Sequence, residues 1–496
     1  MDAVNLMSKL QTAVVYGEPL DNKQIQSLVH DTRQVSANSC FIAIRGERFD
    51  GHQAIESVVN AGATVVIAEA FNEAWLALPV SIVVVPSTYR AQAILANAFY
   101  QEPSTKLNMV AITGTNGKTT TSTMISEWLM QLQRKTGLLG TLHYKVDKTY
   151  YPAVNTTPNA LELQRLFNEM VDAGCTDAII EASSHALQLG RLWYTDVDCA
   201  IFTNLTREHL DFHQTMDAYA YAKSLLFAQL GQHFQHGKPK VAIVNADDSY
   251  SAIMSQATAA EVVTYSVRDR HATVYASDIN VEQNFMTFTL HDRQHTYAIT
   301  LNMIGEYNVS NYLAAYSCLA YYYQIEPEQI IAAASQFKGV TGRTQMIDCQ
   351  QSFQVVVDFA HTPDAIENVL STVAKSKKGK LITLIGHSGG NRDSGARPEI
   401  GDIVFRYSDY IVFTADNPRH ESVQKICREL IGTHTEKDYV VIEDRIEAIH
   451  YALSIAQAGD SLVFAGKGGE PYQVIGDDYV PFNEAEIITT YLTEKK

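Results

Sequence analysis

The segment Thr113-Gly114-Thr115-Asn116-Gly117-Lys118-Thr119-Thr120 follows an apolar run at residues 109–112 and leads into an apolar-periodic stretch at residues 124–132. Strand, glycine-bearing turn and helix, in that order, are the sequence form of a nucleotide phosphate cradle. Glycines let backbone N–H groups turn toward an anion, and the helix N-terminus adds its partial positive charge; Lys118 can reach terminal phosphates and Thr119 can hold Mg²⁺. Gly114, Thr115, Asn116, Gly117, Lys118, Thr119 and Thr120 are therefore the candidate nucleotide loop. Two residues, Thr115 and Asn116, separate the glycines, and Ile112 stands where the usual phosphate loop has its earlier glycine.

A chain of 496 residues exceeds what one hydrophobic core usually supports, so three domains are expected. The hydrophobic fraction of 46% and charged fraction of 19% are those of a globular protein with ample core-forming residues. A net charge of −17 argues against bulk nucleic acid or an anionic membrane as partner, and requires dedicated sites for anionic ligands. Cys40, Cys175, Cys199, Cys318, Cys349 and Cys427 are scattered without zinc spacing, and read as reduced structural thiols. Neither a signal peptide nor a membrane-spanning apolar stretch is evident, so a cytoplasmic monomer is expected.

Three α/β blocks follow from the patterning, divided at the turn-forming Gln101-Glu102-Pro103-Ser104-Thr105 and near residue 335. In residues 1–103, apolar runs at 41–44, 64–68 and 82–85 alternate with a helical stretch at 89–100, giving a small α/β domain. In residues 104–335, strands at 178–181, 197–202 and 241–245 alternate with helices at 160–171 and 216–230, predicting a mostly parallel nucleotide-binding sheet. In residues 336–496, strands at 355–358, 381–386, 410–414, 440–443 and 461–465 predict a doubly wound α/β domain, with functional loops after the strand C-termini.

Glu181 ends one strand of the middle block, where a carboxylate suits a nucleotide-bound Mg²⁺. His209 follows another strand end, in a loop that also offers Glu208, Asp211 and His213. On its own a loop histidine is a surface or capping residue; its place after a separate strand of one nucleotide-binding pattern is what points to function. Lys223, within an apolar helical stretch, reads on its own as a snorkelling surface lysine.

The loop Gly114-Thr115-Asn116-Gly117-Lys118-Thr119-Thr120 resembles that of the Mur ligases and their folylpolyglutamate synthetase relatives. Asn155-Thr156-Thr157-Pro158, Glu181-Ala182-Ser183-Ser184-His185, residues 202–213, Tyr221-Ala222-Lys223, Tyr307-Asn308-Val309-Ser310-Asn311, Asp358-Phe359-Ala360-His361-Thr362-Pro363-Asp364 and Asp416-Asn417-Pro418-Arg419 are similar to the MurE branch of the Mur ligases, the UDP-N-acetylmuramoyl-tripeptide synthetases. The resemblance spans nearly the whole chain. It implies an ATP-dependent acid–amino-acid ligase of peptidoglycan precursor synthesis, adding a third amino acid to UDP-N-acetylmuramoyl-L-alanyl-D-glutamate through an acyl phosphate.

By that resemblance Lys118, Lys223 and His209 are catalytic, and Thr119, Glu181, His209 and Lys223, the last as a carbamate, hold Mg²⁺. Asn308, Arg343 and His361 contact ATP from the linker side. Thr32 binds the uridine end through His30-Asp31-Thr32-Arg33, with residues 46–52 nearby. Asn155, Thr156, Thr157, Ser183 and Arg191 hold the muramoyl dipeptide, hydroxyls and a guanidinium suiting carbohydrate and carboxylate oxygens; Asn159 can also cap the following helix. Arg392, Asp416, Asn417, Pro418, Arg419, Gly466 and Glu470 form the amino-acid pocket. The Asp-Asn-Pro-Arg sequence accompanies meso-diaminopimelate, whose distal carboxylate an arginine can clamp.

Gly469 stands where the family usually has histidine, Asn391 replaces an aspartate, Gln345 stands where a glutamate often follows the arginine, and Leu189 replaces a common glutamine. L-lysine or another diamino acid therefore stays open as the amine. A folylpolyglutamate synthetase-like ligase and an inactive nucleotide-binding regulatory homologue are the other readings. The N-terminal uridine block and residues 416–419 speak against the first, and intact Lys118, Glu181, His209 and Lys223 against the second.

Overall fold

The structure is a computed structural model, describing residues 1–46, 49–231, 239–282, 284–293, 295–390 and 394–495. The chain forms two compact units, Met1–Ile112 with Gln133–Ala200 and Ala222–Lys240, and Thr113–Leu132 with Ile201–Tyr221 and Val241–Lys496.

The first unit contains a five-stranded sheet in the order Val14–Gly17, Ser81–Val84, Ala63–Ala68, Ser39–Ile42, Ser27–Val29. Only Val14–Gly17 runs antiparallel, against Ser81–Val84. Alternate residues of the central strands enter different cores: Cys40, Ile42, Val65 and Ile67 join Leu6 and Leu95, while Phe41, Val66 and Ala68 join Ile55 and Val58. Both faces are covered, which is why these strands read as continuous apolar runs. Helix Thr88–Phe99 is capped by Ser87, which accepts from Arg90 N. Beyond it, Asn108–Thr113 pairs in parallel with Asp177–Glu181, which pairs in parallel with Thr136–Leu139. Strands His143–Val146 and Thr149–Pro152 then continue antiparallel.

In the second unit Val241–Asn245 and Glu261–Ser266 are parallel, and Val274–Val281, Met286–Asp292 and His295–Leu301 form an antiparallel meander beside them. The expectation of a mostly parallel middle sheet thus covers its inner strands, and antiparallel extensions went unread. A six-stranded sheet follows in the order Gln345–Met346, Gln354–Asp358, Ser461–Ala465, Leu381–Ile385, Tyr410–Phe413, Tyr439–Val441. It is parallel except for the short first strand. Separate cores cover its two faces, one around Val356, Ile385, Phe413 and Val463, the other around Val355, Leu384, Val412 and Phe464. This is the doubly wound arrangement, so the loops after its strand C-termini form a ligand-binding edge.

The six cysteines form no disulfide. No helix among the described residues is long and apolar enough to cross a membrane.

Candidate functional site

Helix Lys118–Gln131 begins at the lysine of the glycine loop, six residues ahead of the apolar periodicity. Gly117 is its N-cap at φ +84°. A Cβ there would stand 2.3 Å from Asn311 Oδ1, so backbone freedom and close approach both demand glycine. The loop is held from the strand-end segment that follows Phe202. Asn204 Oδ1 accepts from Asn116 N at 2.8 Å, Thr203 Oγ1 donates to Asn116 O at 2.6 Å, and Thr115 N donates to Asn204 O at 2.9 Å. Lys118 Nζ donates to the loop's own carbonyls, Gly114 O at 2.8 Å and Thr115 O at 2.9 Å. That places a cation in the concavity where an anion is expected.

The other predicted ATP contacts converge on this loop. Asn308 accepts from Asn311 Nδ2 at 3.1 Å, and Asn311 is the neighbour of Gly117. Arg343 donates to Thr119 Oγ1 at 3.3 Å and stacks over Phe359 at 4.2 Å. His361 Nε2 and His209 Nε2 each lie 3.5 Å from Glu208 Oε1. Burial opposes the Glu208 charge, but the His361 hydrogen bond and the charges of His209, His361 and Lys118 hold its carboxyl well below the usual range. His361 is raised in turn: burial works against its charge, and Glu208 outweighs burial. Glu208 was noted in the sequence only as a loop neighbour of His209.

A cleft of the second unit is lined by Glu208, His209 and His361 together with Asp416, Asn417, Arg419, Gly466 and Glu470. Each of the last five sits on a loop after a strand of the six-stranded sheet. Pro418 holds the turn rather than the lining: its carbonyl accepts from Glu421 N at 3.0 Å. Lys467, next to Gly466 in the sequence and not among the expected pocket residues, is the centre of this end. Fully buried, it donates to Asn417 Oδ1 at 2.8 Å and Glu470 Oε2 at 2.6 Å, with Asp416 at 3.7 Å. Burial opposes the Asp416 charge, and Lys467 and Arg445 outweigh it, so Asp416 titrates below the usual range. Arg419 Nε is buried and has no hydrogen-bond partner among the described residues. Tyr472, Val474 and Tyr479 of the hairpin Tyr472–Ile475/Asp478–Pro481 complete the wall. The cleft therefore offers a guanidinium whose Nε no described residue engages, together with a carboxylate–ammonium network, a lining suited to a zwitterionic amino acid with a further charged group. Arg392 lies outside the described residues.

The first unit gathers a different set. Thr157 Oγ1 donates to Glu181 O at 2.7 Å and accepts from Ser183 N at 3.1 Å; Arg191 donates to Thr157 O at 2.8 Å. Thr141, absent from the sequence reading, hydrogen-bonds both Thr156 Oγ1 at 3.1 Å and Glu181 Oε2 at 2.9 Å. Asn155 is fixed through its backbone by Tyr144 Oη. Burial lowers the Arg191 pKa, with Tyr144 and Tyr89 opposing, so this guanidinium gains from an anionic ligand. Thr32 lies on the other sheet, opening the turn Thr32–Gln34 beneath the cap Asp31. Lys223 is one of the largest fully buried side chains, not a snorkelling surface residue. Asn159 caps its helix, accepting from Leu161 N and Glu162 N.

Comparison with known proteins identifies the family. Residues 24–100 match the model of the Mur ligase family, catalytic domain, residues 112–319 the Mur ligase middle domain, and residues 342–468 the Mur ligase, glutamate ligase domain. The UDP-N-acetylmuramoyl-L-alanyl-D-glutamate–2,6-diaminopimelate ligase of Geobacillus kaustophilus is 42% identical over 477 residues, 96% of each chain. Its namesake from Bacillus licheniformis is 39% identical over 496 residues, 100% of each. A solved structure of a ligase of that name superposes with a TM-score of 0.70 at 29% identity, covering 100% of this chain and 99% of its own. Relatives matched from end to end, and three successive models reaching from the N-terminal sheet to the Lys467 loop, make this chain a member of the Mur ligase family.

Proposed function

We propose that the protein is the ATP-dependent ligase that adds 2,6-diaminopimelate, the meso isomer favoured, to UDP-N-acetylmuramoyl-L-alanyl-D-glutamate in peptidoglycan precursor synthesis. The observation that carries this reading is the cleft lined both by Arg419, whose buried Nε has no partner among the described residues, and by Asp416 and Glu470, the carboxylates around Lys467. A diamino acid with a distal carboxylate satisfies both. L-Lysine leaves the guanidinium without an anion.

In this reading the γ-carboxylate oxygen of the substrate glutamate attacks the γ-phosphorus of ATP, and the bond to the bridging oxygen breaks, giving acyl phosphate and ADP. The amine nitrogen then attacks the acyl carbon, phosphate leaves, and the amine loses a proton. Lys118 leaves its loop carbonyls for the phosphates and neutralises charge that develops on the transferred group. The nucleotide is bounded by Gly114, Thr115, Asn116, Gly117, Thr119, Thr120, Asn308, Arg343 and His361. Thr32, Asn155, Thr156, Thr157, Ser183 and Arg191 receive the UDP-linked substrate; Asp416, Asn417, Pro418, Arg419, Gly466, Glu470 and Arg392 receive the amino acid.

The hydroxyl of Thr119 and the carboxylate of Glu181 fit magnesium, which prefers oxygen ligands. Among the described residues no three His, Cys, Asp or Glu side chains form a ready-made cation cage, and Mg²⁺ bound with ATP characteristically takes few protein ligands, adding phosphate oxygens and water. Thr119, Glu181, His209 and Lys223 are assigned to it on the family resemblance. Carbamylation would convert the buried Lys223 side chain from an ammonium into an anionic carbamate, whose carboxylate oxygens suit a magnesium ion. Bound magnesium supplies charge stabilisation of the phosphoryl group.

The three-domain division at residues 103 and 335 is supported by the spans of the three matched family models, and a match at residues 24–100 weighs against the folylpolyglutamate synthetase reading. A cytoplasmic location suits the nucleotide-linked substrate. Mass spectrometry of the product tests the reaction: UDP-N-acetylmuramoyl dipeptide should gain the mass of diaminopimelate less water, with ATP converted to ADP. An unchanged substrate would sink the proposal.

A further inference from the structure

Arg397 opens the helix Arg397–Tyr407 and is fully buried. Its two terminal nitrogens form a fork on Glu421, Nη1 to Oε1 at 3.0 Å and Nη2 to Oε2 at 2.9 Å. Nη1 also donates to Glu429, and Nη2 to Ser388 O at 3.1 Å. Glu421 lies two residues beyond Arg419, and the two share a neighbour. Glu421 Oε2 accepts from Gly390 N at 3.4 Å, and a Cβ on Gly390 would stand 3.0 Å from Arg419 Cδ. Glu421 is thus a carboxylate of the protein's own that shares the Gly390 turn with Arg419, whose guanidinium lines the amino-acid cleft. Arg419 Nε nonetheless has no partner among the described residues, while the Arg397 fork, with Lys425 at 2.9 Å, holds Glu421 down at about 2.

We propose that Arg397 is a specificity-positioning residue, holding both oxygens of Glu421 away from Arg419 so that Arg419 keeps its charge for the distal carboxylate of the incoming amino acid. The inference rests on the reading of this cleft as the diaminopimelate pocket. An arginine suits the task because a planar fork fixes both carboxylate oxygens, which a lysine ammonium cannot do. In Arg397→Lys, Glu421 is free to turn to Arg419 and compete with the substrate.

Steady-state kinetics on the full chain test this with Arg397→Lys, Glu421→Gln and the double variant. Arg397→Lys should raise KM for diaminopimelate about tenfold while kcat and KM for ATP stay within about threefold. Adding Glu421→Gln should return KM for diaminopimelate to within about threefold of wild type, because a neutral amide does not neutralise Arg419. Glu421→Gln alone should leave that KM at or below wild type, and decides the matter if Arg397→Lys does not fold. An unrecovered KM in the double variant, a KM raised about tenfold by Glu421→Gln alone, or an unchanged KM in a folded Arg397→Lys would overturn the proposal. Wild-type enzyme that fails to turn over diaminopimelate would overturn the reading beneath it as well, and is seen without any variant.

Discussion

Asn116 Nδ2 donates to Asp364 Oδ2 at 2.8 Å, joining the glycine-rich loop to the first turn of helix Pro363–Ser376. Burial raises the Asp364 pKa, with the hydrogen bonds from Asn116 and Asn368 opposing. This contact fixes the one side chain between the two loop glycines that no backbone partner holds in place. Asp364→Ala should raise KM for ATP about tenfold, the equivalent of one hydrogen bond to a charged group. Nucleotide titration by calorimetry checks it, and unchanged affinity would show the contact to be dispensable.

Arg445 and Glu484 are paired at 2.8 Å with both side chains fully buried. Arg445 also donates to Ala415 O at 3.0 Å and Ala465 O at 2.9 Å, the residues just before Asp416 and Gly466. Arg445→Ala strands a buried carboxylate and should cost about 3–5 kcal/mol. Denaturant unfolding of the variant measures it; a loss within about 0.5 kcal/mol would place the pair among surface-type contacts.

His434 lies between Asp402 Oδ1 at 2.7 Å and Glu436 Oε1 at 2.6 Å. Its pKa is raised, first by Asp402, with burial opposing and Glu436 assisting. A histidine raised in the folded state contributes stability that is complete below its unfolded pKa and is lost as pH rises through the folded value. The melting temperature of wild type should therefore exceed that of His434→Gln most at about pH 6, the gap closing by about pH 9. A gap independent of pH would contradict the assignment.

Lys118→Ala should lower kcat by at least about 10³-fold, the scale on which loss of phosphoryl-charge stabilisation is felt. Its melting temperature should stay close to that of wild type, since the lysine's hydrogen bonds to Gly114 O and Thr115 O are local to its own loop. Rapid-quench measurement of ADP formation separates this from a defect in product release.

Where burial on both faces made strands continuously apolar, as at Val241–Asn245 and Ser461–Ala465, the sequence marked them to the residue. The meander at 274–301 escaped because strands with a solvated face alternate, and polar residues such as Ser277, Asn280 and Thr289 dilute the signal. Helix Lys118–Gln131 was read late because its first turn, Lys-Thr-Thr-Thr, faces a ligand site and carries no apolar period. The glycine-rich loop and the residues that line the cleft stand in short local motifs that a sequence displays directly. Arg397, Arg445 and Asp364 were not legible in this way, since an ionisable residue near a helix start is by default solvated, and only the folded loops around it reveal burial.

The central claim is tested most directly by phosphate release from ATP with UDP-N-acetylmuramoyl-L-alanyl-D-glutamate present, comparing meso-diaminopimelate with L-lysine. The Arg419–Glu470 cleft predicts release that requires both the dipeptide substrate and the amine, strongly favouring meso-diaminopimelate. Preference for L-lysine would contradict the role given to Arg419 while leaving the ligase chemistry standing, and no release with either amine would contradict the account as a whole.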